Sequence, residues 1–200
     1  MSRTPLNKAE LARKKRELAT YQRFLPSLDM KRKQLLVERR RARRELDSAR
    51  ERVAATRRRV AESLPMLADT QIAVEELVEI SGVEVDTRNI VGVPVPVLSA
   101  VHIEVKPTGY LARPHWVDRL IELLKTQIHQ YVDERIAAER LERLEAGLKT
   151  VTQRVNLFDK VLIPRTQEEI KRIQIALGDA ERAGVVRAKI AKRKRAERAP

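Results

Sequence analysis

One apolar spacing constrains this chain more than anything else in it. Leu11, Leu18, Leu25, Arg32, Arg39, Leu46, Val53, Val60, Leu67 and Val74 fall on a single heptad phase. Tyr21, Leu28, Leu35, Ala42, Ala49 and Thr56 fill the companion phase. A straight helix drifts by about 20° per heptad, so a phase held this long predicts a coiled-coil seam. No glycine interrupts the run before Gly82. Asn7 stands three residues before Glu10, close to a capping box, and Thr4-Pro5 offers a second helix start. The pattern predicts a first shaft helix over residues 4–81, its stretch from Asn7 to Ile80 roughly 110 Å long. Pro26 and Pro65 are expected to bend this helix without ending it, because the heptad phase passes through both.

Residues 82–113 break the pattern. Gly82, Gly92, Pro94, Pro96, Pro107 and Gly109 crowd here. Val91, Val93, Val95 and Val97 alternate, as do Val101, Ile103 and Val105, which is the period of a strand. Pro94 and Pro96 cannot donate to a ladder, which places this strand at an edge. A small β-hairpin is expected, with the chain reversing near residue 98. A second shaft helix is expected over 114–196. Val117, Leu120, Leu124, Ile128 and Tyr131 open its seam, and Leu141, Leu144, Leu148, Val151, Val155, Phe158 and Leu162 continue it at alternating spacings of three and four. After Pro164 the apolar positions slip to Ile170, Ile173 and Leu177, a stutter.

Two seams joined by a small insert can cover each other. The expected fold is mainly α, a long antiparallel two-helix coiled coil with a small central β-hairpin, forming one elongated domain. A reversal near residue 98 sets Ala42 and Ala49 level with Val155 and Leu148. It also brings Arg32 and Arg39 near Ile163 and Asn156, with Asp159 as a partner for the buried guanidinium charge.

Composition supports long helices over a globule. Aromatic residues are 3% and charged residues 35% of the chain, leaving few large rings for a compact core. Cysteine is absent, which excludes disulfides and thiolate metal sites. No apolar run is long enough to span a bilayer and none resembles a signal peptide, so a cytoplasmic chain is expected, reaching a membrane only through partners. His102, His115 and His129 lack metal-ligand spacing, and no glycine begins a phosphate loop. No catalytic, cofactor-binding or metal residue is expected.

The net charge of +14 is unevenly spread. Residues 1–60 hold 20 Lys and Arg against 7 Asp and Glu, residues 61–140 hold 7 against 13, and residues 141–200 hold 15 against 8. An antiparallel fold gathers both basic ends at one pole. Basic runs such as Arg39–Arg44 and Arg57–Arg59 also suit a coiled coil bound to nucleic acid or a ribosome, the competing reading. The acidic middle argues against it, and Tyr21, Phe24 and Phe158 lie on or beside seams instead of forming a stacking platform.

Several segments carry a more specific likeness. Arg154-Val155-Asn156-Leu157-Phe158-Asp159-Lys160-Val161-Leu162-Ile163-Pro164 is similar to the RVNALE…IP signature of the D subunit of V-type (archaeal-type) rotary ATPases, with Leu-Phe-Asp in place of Ala-Leu-Glu. Glu168–Ile173 and Arg187–Lys194 resemble the rest of that family's last helix, Thr4-Pro5 and Lys8–Lys15 its first, and Ile90-Val91-Gly92-Val93-Pro94 its Val-Pro hairpin segment. Pro26 and Pro65 depart from the pattern. The resemblance implies a non-catalytic central stalk of a V-type ATPase or ATP synthase, transmitting torque between the catalytic hexamer and the membrane ion-translocating ring. Its implied partners are the catalytic and regulatory subunits of the hexamer, the small rotor protein (the F subunit) and the adaptor on the membrane ring; no nucleic acid and no cofactor are implied. With the charge split, it assigns Arg13, Lys14, Lys15, Arg16, Arg187, Lys189, Lys192 and Arg193 to the catalytic ring. Val91, Val93, Val95, Val97, Val101, Ile103 and Val105 go to the hairpin region and the small rotor subunit. Leu46, Val53, Val60, Leu141, Leu144, Leu148, Val151, Val155, Phe158 and Leu162 form the seam.

Overall fold

The computed structural model describes residues 5–64, 77–106 and 116–197. Helix α1 spans Lys8–Ser63, strand β1 Val78–Ile90, strand β2 Val93–Val105 and helix α2 Trp116–Leu157. A single π turn, Phe158–Leu162, separates α2 from α3, Ile163–Glu197. The fold is mainly α with one two-stranded antiparallel sheet. The chain divides into two compact units, Met1–Met30 with Val151–Pro200, and Lys31–Thr150.

In the first unit α1 begins where its capping chemistry directs, the Glu10 amide donating to Asn7 Oδ1 at 2.7 Å. The helix runs antiparallel to α3: Lys8 pairs with Glu181 at 3.3 Å and Lys14 with Glu169 at 2.8 Å. Tyr21 meets Phe158 edge to face, with ring centroids 5.4 Å apart. Val155, Ile170 and Ile173 are buried. Pro26 lies inside α1 without ending it. Pro164 acts differently. It has no N–H to bond the Lys160 carbonyl, and the turn before it widens so that the Ile163 amide donates to the Phe158 carbonyl. This π turn is the form taken by the expected slip in spacing. Buried Thr166 enters the seam below it and satisfies its hydroxyl on the Leu162 carbonyl at 2.6 Å.

In the second unit the later part of α1 and α2 run antiparallel. Glu45 pairs with Arg140 at 3.0 Å, Arg50 with Glu134 at 3.3 Å and Arg52 with Asp133 at 2.6 Å. The expected alignment is therefore displaced by about ten residues. Ala42 shares a cavity with Arg140 and Leu144, not the level of Val155, and Ser48 shares a depression with Ala137, which removes Ala49 from Leu148. Arg32 and Arg39 stay half-buried, and Asp159 is exposed. The displacement has a simple origin: the chain reverses at Val91-Gly92, not near residue 98. Burial varies residue by residue along the described seam positions. Leu35, Ala42, Leu46, Ala49, Leu141, Leu144 and Leu148 are buried, and Val53, Val60 and Val151 half-buried. Tyr131 is the exception; it faces out at 60% exposure.

Helix α1 ends at Ser63, short of the expected residue 81. The following Pro65 explains this, since a proline crowds the helical conformation of the residue before it. Leu67 and Val74 lie outside the described residues, and Val78–Ile80 are strand, not helix. Leu64, Leu77, Val117, Leu120, Ile121 and Leu123 form a core cluster here, on which Trp116 and the hairpin residues Val78 and Val105 pack.

Candidate functional site

The hairpin and the termini of the first unit carry the residues the sequence singled out. Both valine alternations belong to one strand, β2, and Val91 lies in the turn. The partner strand β1 is the element the sequence reading missed. Val91 at φ 54° and Gly92 at φ 86° form a two-residue turn of the type that matches strand twist. Asn89 Oδ1 accepts from the Gly92 amide at 2.7 Å, fixing the turn.

The prolines explain the strand's placement. A two-residue turn makes Ile90 and Val93 a hydrogen-bonded pair, so Asn89–Pro94 and Thr87–Pro96 fall at non-hydrogen-bonded positions. There the amide a proline lacks would point away from β1, and no ladder bond is lost. The Pro96 carbonyl points the same way and accepts from Arg140 Nε at 3.2 Å. Arg140 thus joins β2, α2 and, through Glu45, α1. Beside it lies a cavity of about 150 Å³ lined by Ala42, Val95, Val97 and Leu144 among others.

Gly147 marks a close approach of hairpin to helix. A Cβ built there would lie 2.5 Å from Val93 Cγ2, so any larger residue must push the strand or its valine aside. Neither Arg140 nor Gly147 was singled out by the sequence reading. A lone glycine inside a strong helical pattern was the available signal.

The hairpin presents opposite faces to the helices at its two ends. Val93 packs at Gly147 near the turn, whereas Val78 and Val105, on the other face, pack on the core cluster at the base. Register shifts between Ile80 and Gly82 and between Glu84 and Val85 add the twist this requires. They also keep Ile80, Val83 and Val85 on one face with Leu98, Val101 and Ile103.

The basic patch has two parts. Lys14 is half-buried between Glu17 at 3.0 Å and Glu169 at 2.8 Å. The hydrogen bond to Glu169 raises the Lys14 pKa, and the same bond lowers that of Glu169. Arg13 clasps Glu10 through two hydrogen bonds, which raise its own pKa and lower that of Glu10. Lys14 thus ties α1 to α3, whereas Arg13 pairs within α1. Lys15 and Arg16 are exposed. So are Arg187, Lys189, Lys192 and Arg193, on the last stretch of α3. That stretch passes the Lys8–Glu181 pair at the start of α1 and leaves Val185, Val186 and Ile190 open to solvent. Among the described residues no helix is long and apolar enough to cross a membrane.

A protein of Borreliella burgdorferi named as the D subunit of a V-type ATP synthase is 32% identical over 192 residues, covering 96% of this chain and 95% of its own length. Proteins of the same name from Chlamydia muridarum and Chlamydia pneumoniae are 40% and 36% identical over 132 residues, spanning 66% of this chain and 64% and 62% of theirs. A sequence model described as the ATP synthase D subunit matches residues 10–193. On that match, running from α1 through the hairpin and nearly to the end of α3, the chain belongs to the ATP synthase D-subunit family.

Proposed function

We propose that this chain is the central rotor shaft of a V-type ATPase, carrying torque between a catalytic hexamer and the membrane ring and doing no chemistry itself. The observation that carries the reading is the end of α3. From Gly184 to Ala196 every residue is exposed, and the aliphatic Val185, Val186 and Ile190 sit among Arg187, Lys189, Lys192, Arg193, Lys194 and Arg195. An isolated helix with aliphatic side chains in water lacks the tertiary burial that stabilises most helices. A surrounding collar of subunits supplies that burial, and its carboxylates meet the cations.

Rotation follows from unequal contacts. Each surrounding subunit meets a different side of the shaft, which shifts its open–closed equilibrium by the difference in contact energy. The exposed cations suit such a surface, because solvent-exposed ion pairs are individually weak and exchange easily. The hairpin side serves the small rotor subunit and the adaptor on the membrane ring.

The test is purification of the tagged chain from its native cells, followed by subunit-specific binding. Recovery of the catalytic, regulatory and small rotor subunits is expected. Reversing Lys15, Arg16, Arg187, Lys189 and Lys192 should weaken hexamer binding, more so as salt rises, and leave the small rotor subunit bound. Recovery of RNA in place of ATPase subunits would refute the reading in favour of the nucleic-acid alternative.

A further inference from the structure

The two edges of the hairpin are treated unequally. The outer edge of β2 carries Pro94 and Pro96, and its Pro96 carbonyl is taken by Arg140. An edge managed in this way cannot accept another strand. β1 has no proline, and among the described residues no strand pairs with its outer edge. By the alternation that puts the prolines at non-hydrogen-bonded positions, the amides and carbonyls of Thr87 and Asn89 point outward from β1. From Glu84 to Asn89 every residue is exposed.

We propose that the outer edge of β1 is a docking edge, which one extended segment of a partner chain joins as a third strand. The side chains define that segment. One face of β1 carries Glu79, Glu84 and Asp86, with Arg88 nearer the turn; the other carries Ile80, Val83 and Val85, each at least 42% exposed. The acidic groups have partners within the hairpin or beside it: Glu84 with His102 at 3.0 Å, Glu79 with Lys106 at 3.1 Å, and Asp86 with the Ser99 hydroxyl. All three remain exposed, and strands Val78–Ile90 and Val93–Val105 together hold four Asp and Glu against one Arg. Opposite charges across neighbouring strands stabilise the pair and like charges oppose it. The added strand therefore alternates aliphatic residues with Lys or Arg. A second copy of this chain fits poorly, because β1 holds three Asp and Glu against one Arg and would bring the same acidic excess to the edge instead of offsetting it. The inference takes from the proposed function only that the chain works in an assembly.

The probe is a short synthetic peptide alternating valine and lysine, added to the full chain. Thr87→Pro removes one outward amide and spares the β1–β2 ladder, because Thr87 stands opposite Pro96. Wild type and Thr87→Ala should bind the peptide, and Thr87→Pro should bind it about tenfold more weakly, as loss of one edge hydrogen bond implies. Hydrogen exchange in wild type should slow at Thr87 and Asn89 on binding, a readout that stands even if Thr87→Pro fails to fold. Equal binding by Thr87→Pro, or no slowing at those amides, would overturn strand addition. Equal binding of a valine–glutamate peptide would overturn the stated chemistry. Self-association of wild type that Thr87→Pro abolishes would make a second copy the occupant and also overturn it. None of these failures touches co-purification with ATPase subunits, which tests the proposed function separately.

Discussion

Gly147→Ala sets two known effects against each other at one atom. In an exposed helix interior the change stabilises by about 1 kcal/mol, through lower backbone entropy in the unfolded chain. Here the new methyl would lie 2.5 Å from Val93 Cγ2, with Cγ1 at 3.4 Å and Cβ at 3.5 Å. Valine is stiff about χ1, so the strain passes to the strand backbone and costs about 1–3 kcal/mol. The expected net result is destabilisation by about 1 kcal/mol, with faster hydrogen exchange at the tip of the hairpin. In a Val93→Ala background the obstructing methyls are gone, and Gly147→Ala should stabilise by about 1 kcal/mol. The double-mutant cycle, measured by urea unfolding followed by circular dichroism, should give a coupling of about 2 kcal/mol. Additive effects, with Gly147→Ala stabilising both backgrounds, would show that the hairpin does not rest on this glycine.

Three further outcomes are expected. Leu148→Asp, at a buried seam position, should cost about 3 kcal/mol or more in thermal unfolding and half-buried Val151→Asp less, while exposed Lys149→Asp stays within about 0.5 kcal/mol. The pKa of Glu169 is lowered by its bond to Lys14, so its contribution is full near neutral pH and is lost as pH falls through the folded value. Lys14→Met should lower neutral-pH stability by about 1 kcal/mol and flatten the acid limb of a melting-temperature profile. Arg140→Gln should speed amide exchange in β2 more than in α2, because it releases the Pro96 carbonyl and the Glu45 carboxylate together.

The seams were legible because a heptad phase survives any choice of partner. Leu35, Ala42, Leu46, Leu144 and Leu148 are buried for the reason the spacing gives. The level at which the helices face each other was not legible, since it depends on where the chain reverses. Val91 continues the valine alternation so smoothly that the spacing points to a turn several residues too late. Strand β1 was obscured for a related reason: Ser81, Gly82 and the register shifts break its period, while the heptad phase ran on to Val74. The basic patch was read from charge alone, and charge does not distinguish Lys14, held between two carboxylates, from Lys15, exposed to water. Arg140 and Gly147 act through atoms on a distant strand, and a single sequence offers no pattern for that.

The π turn before Pro164 sets the aim of everything after it. Each residue of an α-helix advances the direction of its side chain by about 100°, so the one extra residue held in Phe158–Leu162 works as a fixed angular offset. Ile170 and Ile173 reach the seam with that offset included, and Lys189, Lys192 and Arg193 inherit it. Removing one residue from the turn would leave composition, charge and helix content almost unchanged. It would nevertheless swing the whole terminal stretch of α3 by more than a quarter turn, so that the same cations would address a different side.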